Sequence, residues 1–305
     1  MSTRNSLLKK SLRFAFTAVF VNAVCSLYAP QVKAQSTAVT NVRFKKDKYN
    51  RIFIPVKIDR DSLSFLFGTY SKTLRVTPYF METRSLYPSG EGLTQTDRSG
   101  RKQNRVVFYM PKIKLGDLKF RNEETIVNYA FPDSIATGST GTLMVYQYNW
   151  KIDNDKNLVS ISKTPFIPSK TYTTVRYKND SFPAAPVDID GFKSSFALDM
   201  GSGTNFQINA NSDLGRHLIM KYDLQPVNTI TTRIHSRRLV DTVYEVVVPS
   251  IRFNGMVLKN QKIIMSSASP QNVVGTGFLG KYNVILNNSQ KKKIDNIFIL
   301  EKRMM

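Results

Sequence analysis

Residues 196–208 read FALDMGSGTNFQI. An apolar run, Phe196 to Leu198, ends in a single acid, Asp199. The chain then breaks into Met200-Gly201-Ser202-Gly203-Thr204 before hydrophobic residues resume at Phe206 and Ile208. Taken alone, this is what a surface β-turn looks like, since Asp and Gly are ordinary turn residues. The stretch gains meaning because the chain repeats it. Residues 54–76, IPVKIDRDSLSFLFGTYSKTLRV, align without a gap on 185–207, APVDIDGFKSSFALDMGSGTNFQ, at an offset of 131 with eight identities in 23 columns. Such self-similarity marks a duplicated structural unit.

The repeat continues in order. Pro111-Lys112-Ile113-Lys114-Leu115 parallels Pro249-Ser250-Ile251-Arg252-Phe253, and Asn122 parallels Asn260. Each half then reaches a glycine-led stretch, GTLMVYQYNWKID (141–153) and GTGFLGKYNVILN (275–287). Between the halves, SKTPFIPSKTYTT carries the proline and hydroxyl residues of a connection. Two lobes are expected, residues 41–165 and 172–302. Helical periodicity is scarce, whereas short alternating or β-branched runs recur: RIFIPVKI, LSFLF, RVVFYMPKIKL, NLVSIS, DTVYEVVVPSIRF, QKIIM and NIFIL. Gly, Asn, Asp and Ser punctuate them, so the expected fold class is all-β.

Composition bounds the rest. A chain of 305 residues, 41% apolar and 11% aromatic, is globular and can bury a sizeable core. Its first 34 residues read differently. Lys9, Lys10 and Arg13 precede an apolar run from Phe14 to Ala29, and Val32-Lys33-Ala34 offers small residues for cleavage. Residues 1–34 are read as a signal peptide, giving an exported product beginning at Gln35. Val24 before Cys25 is too large for a lipoprotein signal, and the product has no cysteine for a disulfide. No later apolar stretch has membrane-spanning length. The full chain carries +22; losing five basic residues and no acid with the signal leaves +17. Such charge attracts acidic peptides, anionic envelope polysaccharide or lipid surfaces. Nucleic acid is not expected, because the cations are scattered and no nucleic-acid-binding motif is present. Lys291-Lys292-Lys293, between two apolar runs, reads as a solvated loop.

Two β lobes, each with an apolar strand leading into an Asp-Thr/Ser-Gly-like turn and a later glycine segment, resemble the aspartic peptidases, both pepsin-like and retropepsin-like. FALDMGSGT is similar to their catalytic motif, and GFLG (277–280) to the segment that threads past it. The resemblance covers roughly residues 45–300. It implies two β-barrel lobes with an interlobe cleft and one carboxylate from each lobe. Such a pair shares a proton, activates a water and polarises a scissile carbonyl. A hydroxyl from the Thr/Ser position braces one lobe against the other.

Carried over residue by residue, the resemblance gives Asp199 the acid position, Gly201 the turn glycine and Ser202 a small hydrogen-bonding neighbour. Met200 stands where the bracing hydroxyl belongs. In the first lobe Gly68 occupies the partner-acid position, Thr69 is retained, and Tyr70 replaces the turn glycine. Met144 follows Leu143 where the closing segment implies glycine. Asp59 and Asp61 lie upstream, at a hairpin turn, and do not replace the missing acid. With one acid gone, Asp199 is expected to titrate singly, and hydrogen bonds from Gly201 and Ser202 are expected to keep its pKa from rising.

Other chemistry is thin. His217 and His235 are the only histidines, so no metal site and no cofactor are expected. No G-x-S-x-G elbow supports a serine nucleophile. Trp150 reads as core. Tyr87 and Tyr109 flank a polar stretch placed where the family has its flap. The expected function is peptide or unfolded-segment binding in the interlobe cleft by a catalytically impaired, exported homologue. The alternatives are an active aspartic endopeptidase, using a second acid or pairing two chains, and an envelope structural or adhesion protein.

Overall fold

The computed structural model describes residues 39–84, 86–96, 102–128, 135–169, 171–177, 182–234, 237–288 and 295–303. The expected signal peptide, His235, the 97–101 tip of the flap-like hairpin and Lys291-Lys292-Lys293 lie outside the described residues.

The first half forms β1 (Thr40–Arg43), β2 (Lys45–Lys46), β3 (Ile52–Ile58), β4 (Asp61–Leu66), β5 (Leu74–Val76), β6 (Tyr87–Thr96), β7 (Lys102–Leu115), β8 (Leu118–Val127), β9 (Gly138–Ser139), β10 (Asn149–Asp153) and β11 (Leu158–Ser162). The second half forms β12 (Tyr172–Tyr177), β13 (Ala184–Ile189), β14 (Phe192–Asp199), β15 (Phe206–Asn209), β16 (Asn228–Ile234), β17 (Arg237–Phe253), β18 (Met256–Ser266), β19 (Val273–Gly275), β20 (Tyr282–Asn287) and β21 (Asn296–Lys302). All seven runs read as strands contribute to strands, and the protein is mainly β.

Each half closes a six-stranded barrel in the same order. In the first, β3-β4-β9-β5-β8-β7 returns to β3 through the pairing of Lys57 with Lys114. In the second, β13-β14-β19-β15-β18-β17 returns to β13 through Ile189 opposite Ile251. The sequence offset is also kept in the register: Ile54 lies opposite Phe65, and Ala185 opposite Phe196. Period-two alternation explains why. Ile54, Val56 and Ile58 point into the first barrel, and Ala185, Val187 and Ile189 into the second, all buried.

A third sheet, β1-β11-β10-β20-β21-β12, joins the lobes. Its order reads the same from either edge once the two halves are equated. At its centre Lys151 pairs antiparallel with Ile285, which is its own counterpart in the 141–153/275–287 repeat. A pseudo-two-fold axis therefore passes between them. Trp150 beside this point is fully buried, donates its indole N–H to the Val145 carbonyl at 2.6 Å and packs on Phe67.

The sequence reading predicts no helix, and the longest among the described residues is Asp213–Lys221. Ser212 caps it by accepting the Gly215 N–H, and Asp213 and Lys221 suit its two ends. Leu214 and Leu218 bury its inner face. Those capping signals were present in the sequence, but the helix is short enough to be masked by the surrounding strands.

Candidate functional site

Asp199 ends β14 and sits where the two repeated loops meet. The threading strand β19 explains its placement. It runs parallel to β14, with Val274 opposite Leu198 and Gly275 opposite Asp199, and antiparallel to β15. A Cβ on Gly275 would lie 2.5 Å from the carbonyl oxygens of Ser202 and Thr204, so only glycine lets the chain pass this closely. The same device holds the first loop. β9 runs parallel to β4, and a Cβ on Gly141 would lie 2.6 Å from the Lys72 carbonyl.

These contacts correct the assignment of the threading segment. It is Val273-Val274-Gly275, not Gly277-Phe278-Leu279-Gly280, most of which forms the short helix Thr276–Leu279 directly after it. Likewise Leu143 and Met144 lie in the helix Thr142–Val145, and the first lobe keeps its glycine at Gly141. The sequence match had aligned both glycines, but short apolar-glycine strings recur and only strand pairing decides which one threads.

One hydroxyl bridges the two loops. Thr69 Oγ1 donates to the Leu198 carbonyl at 2.7 Å and accepts the Met200 N–H at 3.1 Å. Thr69 and Met200 are counterparts in the repeat, so this contact also lies at the pseudo-axis. Met200, fully buried, has no hydroxyl to return the brace. The loops cross closely, since a Cβ on Gly201 would lie 3.2 Å from Gly68 Cα. Gly68 itself has room, its own Cβ position meeting only the Thr140 carbonyl at 3.6 Å. Its amide and carbonyl are both held by the Thr140 hydroxyl.

Asp199 accepts the Gly201 N–H at 2.8 Å and the Thr69 N–H at a long 3.5 Å. Ser202 does not support the carboxylate as expected; its hydroxyl pairs with that of Thr204 at 3.0 Å. The expectation about titration is also corrected. Although part of Asp199 remains solvent-accessible, dense surrounding protein desolvates the carboxyl and raises its pKa above the ordinary carboxylate value. The Gly201 and Thr69 amides and the Arg75 charge act in the opposite direction without cancelling burial.

Two further residues complete the site, and one of them, Arg75, is absent from the sequence reading. Arg75 on β5 is the charged group that acts on Asp199 among the described residues. Tyr70, the replacement for a turn glycine, packs edge-on against Phe182 at 4.9 Å. Burial raises its phenol pKa most, Arg75 opposes this, and Asp199 adds to it. No local sequence signal marks Arg75, because β5 reaches the site only through barrel closure.

The remaining candidates lie elsewhere. Asp59 and Asp61, in the β3–β4 hairpin, both pair with Arg84. His217 stacks on Phe192 at 5.2 Å. Among the described residues no three His, Cys, Asp or Glu side chains are grouped to hold a metal. Tyr87 and Tyr109 face each other across the β6–β7 hairpin, and both are exposed. Among the described residues no helix is long and apolar enough to cross a membrane.

The fold and this site define a mainly β protein of two duplicated barrels joined by a shared sheet, an arrangement compatible with a pepsin-like two-lobe fold. No protein-family model matches the chain, and no curated protein matches it in sequence.

Proposed function

We propose that this is an exported, catalytically impaired protein of the aspartic-peptidase type that binds a peptide or unfolded segment between its lobes, beneath the β6–β7 hairpin. The observation that carries the reading is the pairing of loops at the pseudo-axis. Asp199 occupies one member of a symmetric pair of positions, and Gly68, with no side chain, occupies the other. A dyad mechanism needs two acids sharing one proton. Here the charge acting on Asp199 is the Arg75 guanidinium, which favours a lone carboxylate instead.

Burial that disfavours the Asp199 carboxylate suits the protonated member of a dyad, and this supports a second reading, an active aspartic endopeptidase with a further acid supplied from elsewhere. Incubation with a peptide library between about pH 3 and pH 7 separates the two. Binding of peptides that are not cleaved at any of these pH values supports the first. Cleavage with a bell-shaped pH profile that Asp199→Asn abolishes establishes the second.

A further inference from the structure

The outer face of the first barrel carries an arrangement of charge that the sequence alone does not show. On β3, β7 and β8, Lys57 lies directly opposite Lys114, and Lys114 directly opposite Lys119. Two residues along, Lys112 lies opposite Arg121. All five point outward; Lys114 is half-buried and the others are exposed. Adjacent strands are about 4.8 Å apart, and same-face residues along a strand about 7 Å apart. Three lysines therefore stand abreast, with a Lys–Arg pair beside them. Like charges placed directly across strands destabilise a sheet. None of the five has an acidic partner within ion-pair distance among the described residues. Of the acids nearest in sequence, Asp59 pairs with Arg84, Glu123 accepts from the Gln147 amide, and Asp117 sits in the turn joining β7 to β8.

The second barrel provides an internal comparison. At the matching positions Asp188 lies between Lys193 and Arg252, Arg252 faces Val257, and Ser250 faces Lys259. There an acid stands between two of the cations in the register. On the first barrel the acid is replaced by Lys57 and the valine by Lys119, leaving the cluster without an ion-paired counter-charge among the described residues.

We propose that this face docks the protein on an anionic lipid bilayer. Four of the five cations are lysines, compact and strongly hydrated charges on flexible stems rather than planar forks for bidentate recognition. The cross-strand pairs contain no aromatic ring that would stack on a sugar or a base. A field of lysines suits diffuse attraction to a charged leaflet, where each contributes roughly fivefold to binding.

The test is co-sedimentation with phosphatidylcholine vesicles containing about one third phosphatidylglycerol, at low and high salt. The combined variant Lys57→Gln, Lys112→Gln, Lys114→Gln, Lys119→Gln, Arg121→Gln should bind at least about a hundredfold more weakly than the parent. A control of equal charge, Lys48→Gln, Lys156→Gln, Lys193→Gln, Arg252→Gln, Lys259→Gln, should lose much less. Should the first variant not fold, the pairs 57/114 and 112/121 changed separately carry the same comparison. Equal loss in the control would reduce the effect to net charge and overturn the proposal. So would binding to heparin in the absence of vesicle binding, which would assign the face to a linear polyanion.

Discussion

At position 69 one hydroxyl serves two backbone groups of the opposite lobe, and both groups are buried. Thr69→Val keeps the shape but leaves the Met200 N–H and the Leu198 carbonyl unpaired. An unsatisfied buried backbone group costs about 1–3 kcal/mol, so a loss of roughly 2–4 kcal/mol is expected in denaturant unfolding. Thr69→Ser should recover most of it; an unchanged midpoint for Thr69→Val would mean that water replaces the hydroxyl. Asp199 gives a second residue-scale outcome. Its pKa is raised in the folded state, so folding takes up protons between the unfolded and folded values. The stability it contributes is complete below the unfolded carboxylate pKa, near 3.9, and is lost as pH rises through the folded one. Asp199→Asn should therefore flatten this part of the stability–pH curve, with its benefit growing toward neutral pH. Melting curves across the acid range check this, and a benefit greatest at low pH would contradict it.

The repeat is also legible in backbone conformation, and here elements rather than single residues carry the information. Asp59 and Asp190 both adopt positive φ at the β3–β4 and β13–β14 turns, and Asn122 and Asn260 do so within β8 and β18. Asp and Asn tolerate this left-handed conformation better than other non-glycine residues, which explains why they recur at matched positions. The threading strands impose a stricter demand. Gly275→Ala would place a methyl group against two carbonyl oxygens, so β19 would have to move away from β14 and β15. A cost of about 3 kcal/mol or more is expected, at the upper end of overpacking penalties. Gly68→Ala, whose methyl would make only an ordinary contact with the Thr140 carbonyl, should cost less than about 1 kcal/mol. Equilibrium unfolding of the two variants side by side tests the contrast; equal costs would show that β19 does not thread as described.

For the whole molecule, the shared sheet and the Thr69 brace tie the barrels together at two places on one pseudo-axis. A single cooperative unfolding transition is expected. The protein contains one tryptophan, Trp150, buried in the joining sheet beside that axis. Its fluorescence therefore reports the junction, whereas far-ultraviolet circular dichroism reports both barrels. The two denaturant curves should coincide. Separate midpoints would show that one lobe survives the opening of the junction.

The duplication, the strand positions, the β class and Gly68 as counterpart of Asp199 were all legible in the chain itself. Each depends on local pattern, alternation and turn chemistry, which act over a few residues and so leave a readable trace. The tertiary structure alone decided which glycine threads, because Gly275 and Gly280 look alike until Val274 is paired with Leu198. It also decided the environment of Asp199. Desolvation and the nearness of Arg75 arise from chain segments more than a hundred residues apart, and no local pattern encodes them. The lysine cluster has the same origin: Lys57, Lys114 and Lys119 become neighbours only when barrel closure sets β3 against β7 and β7 against β8.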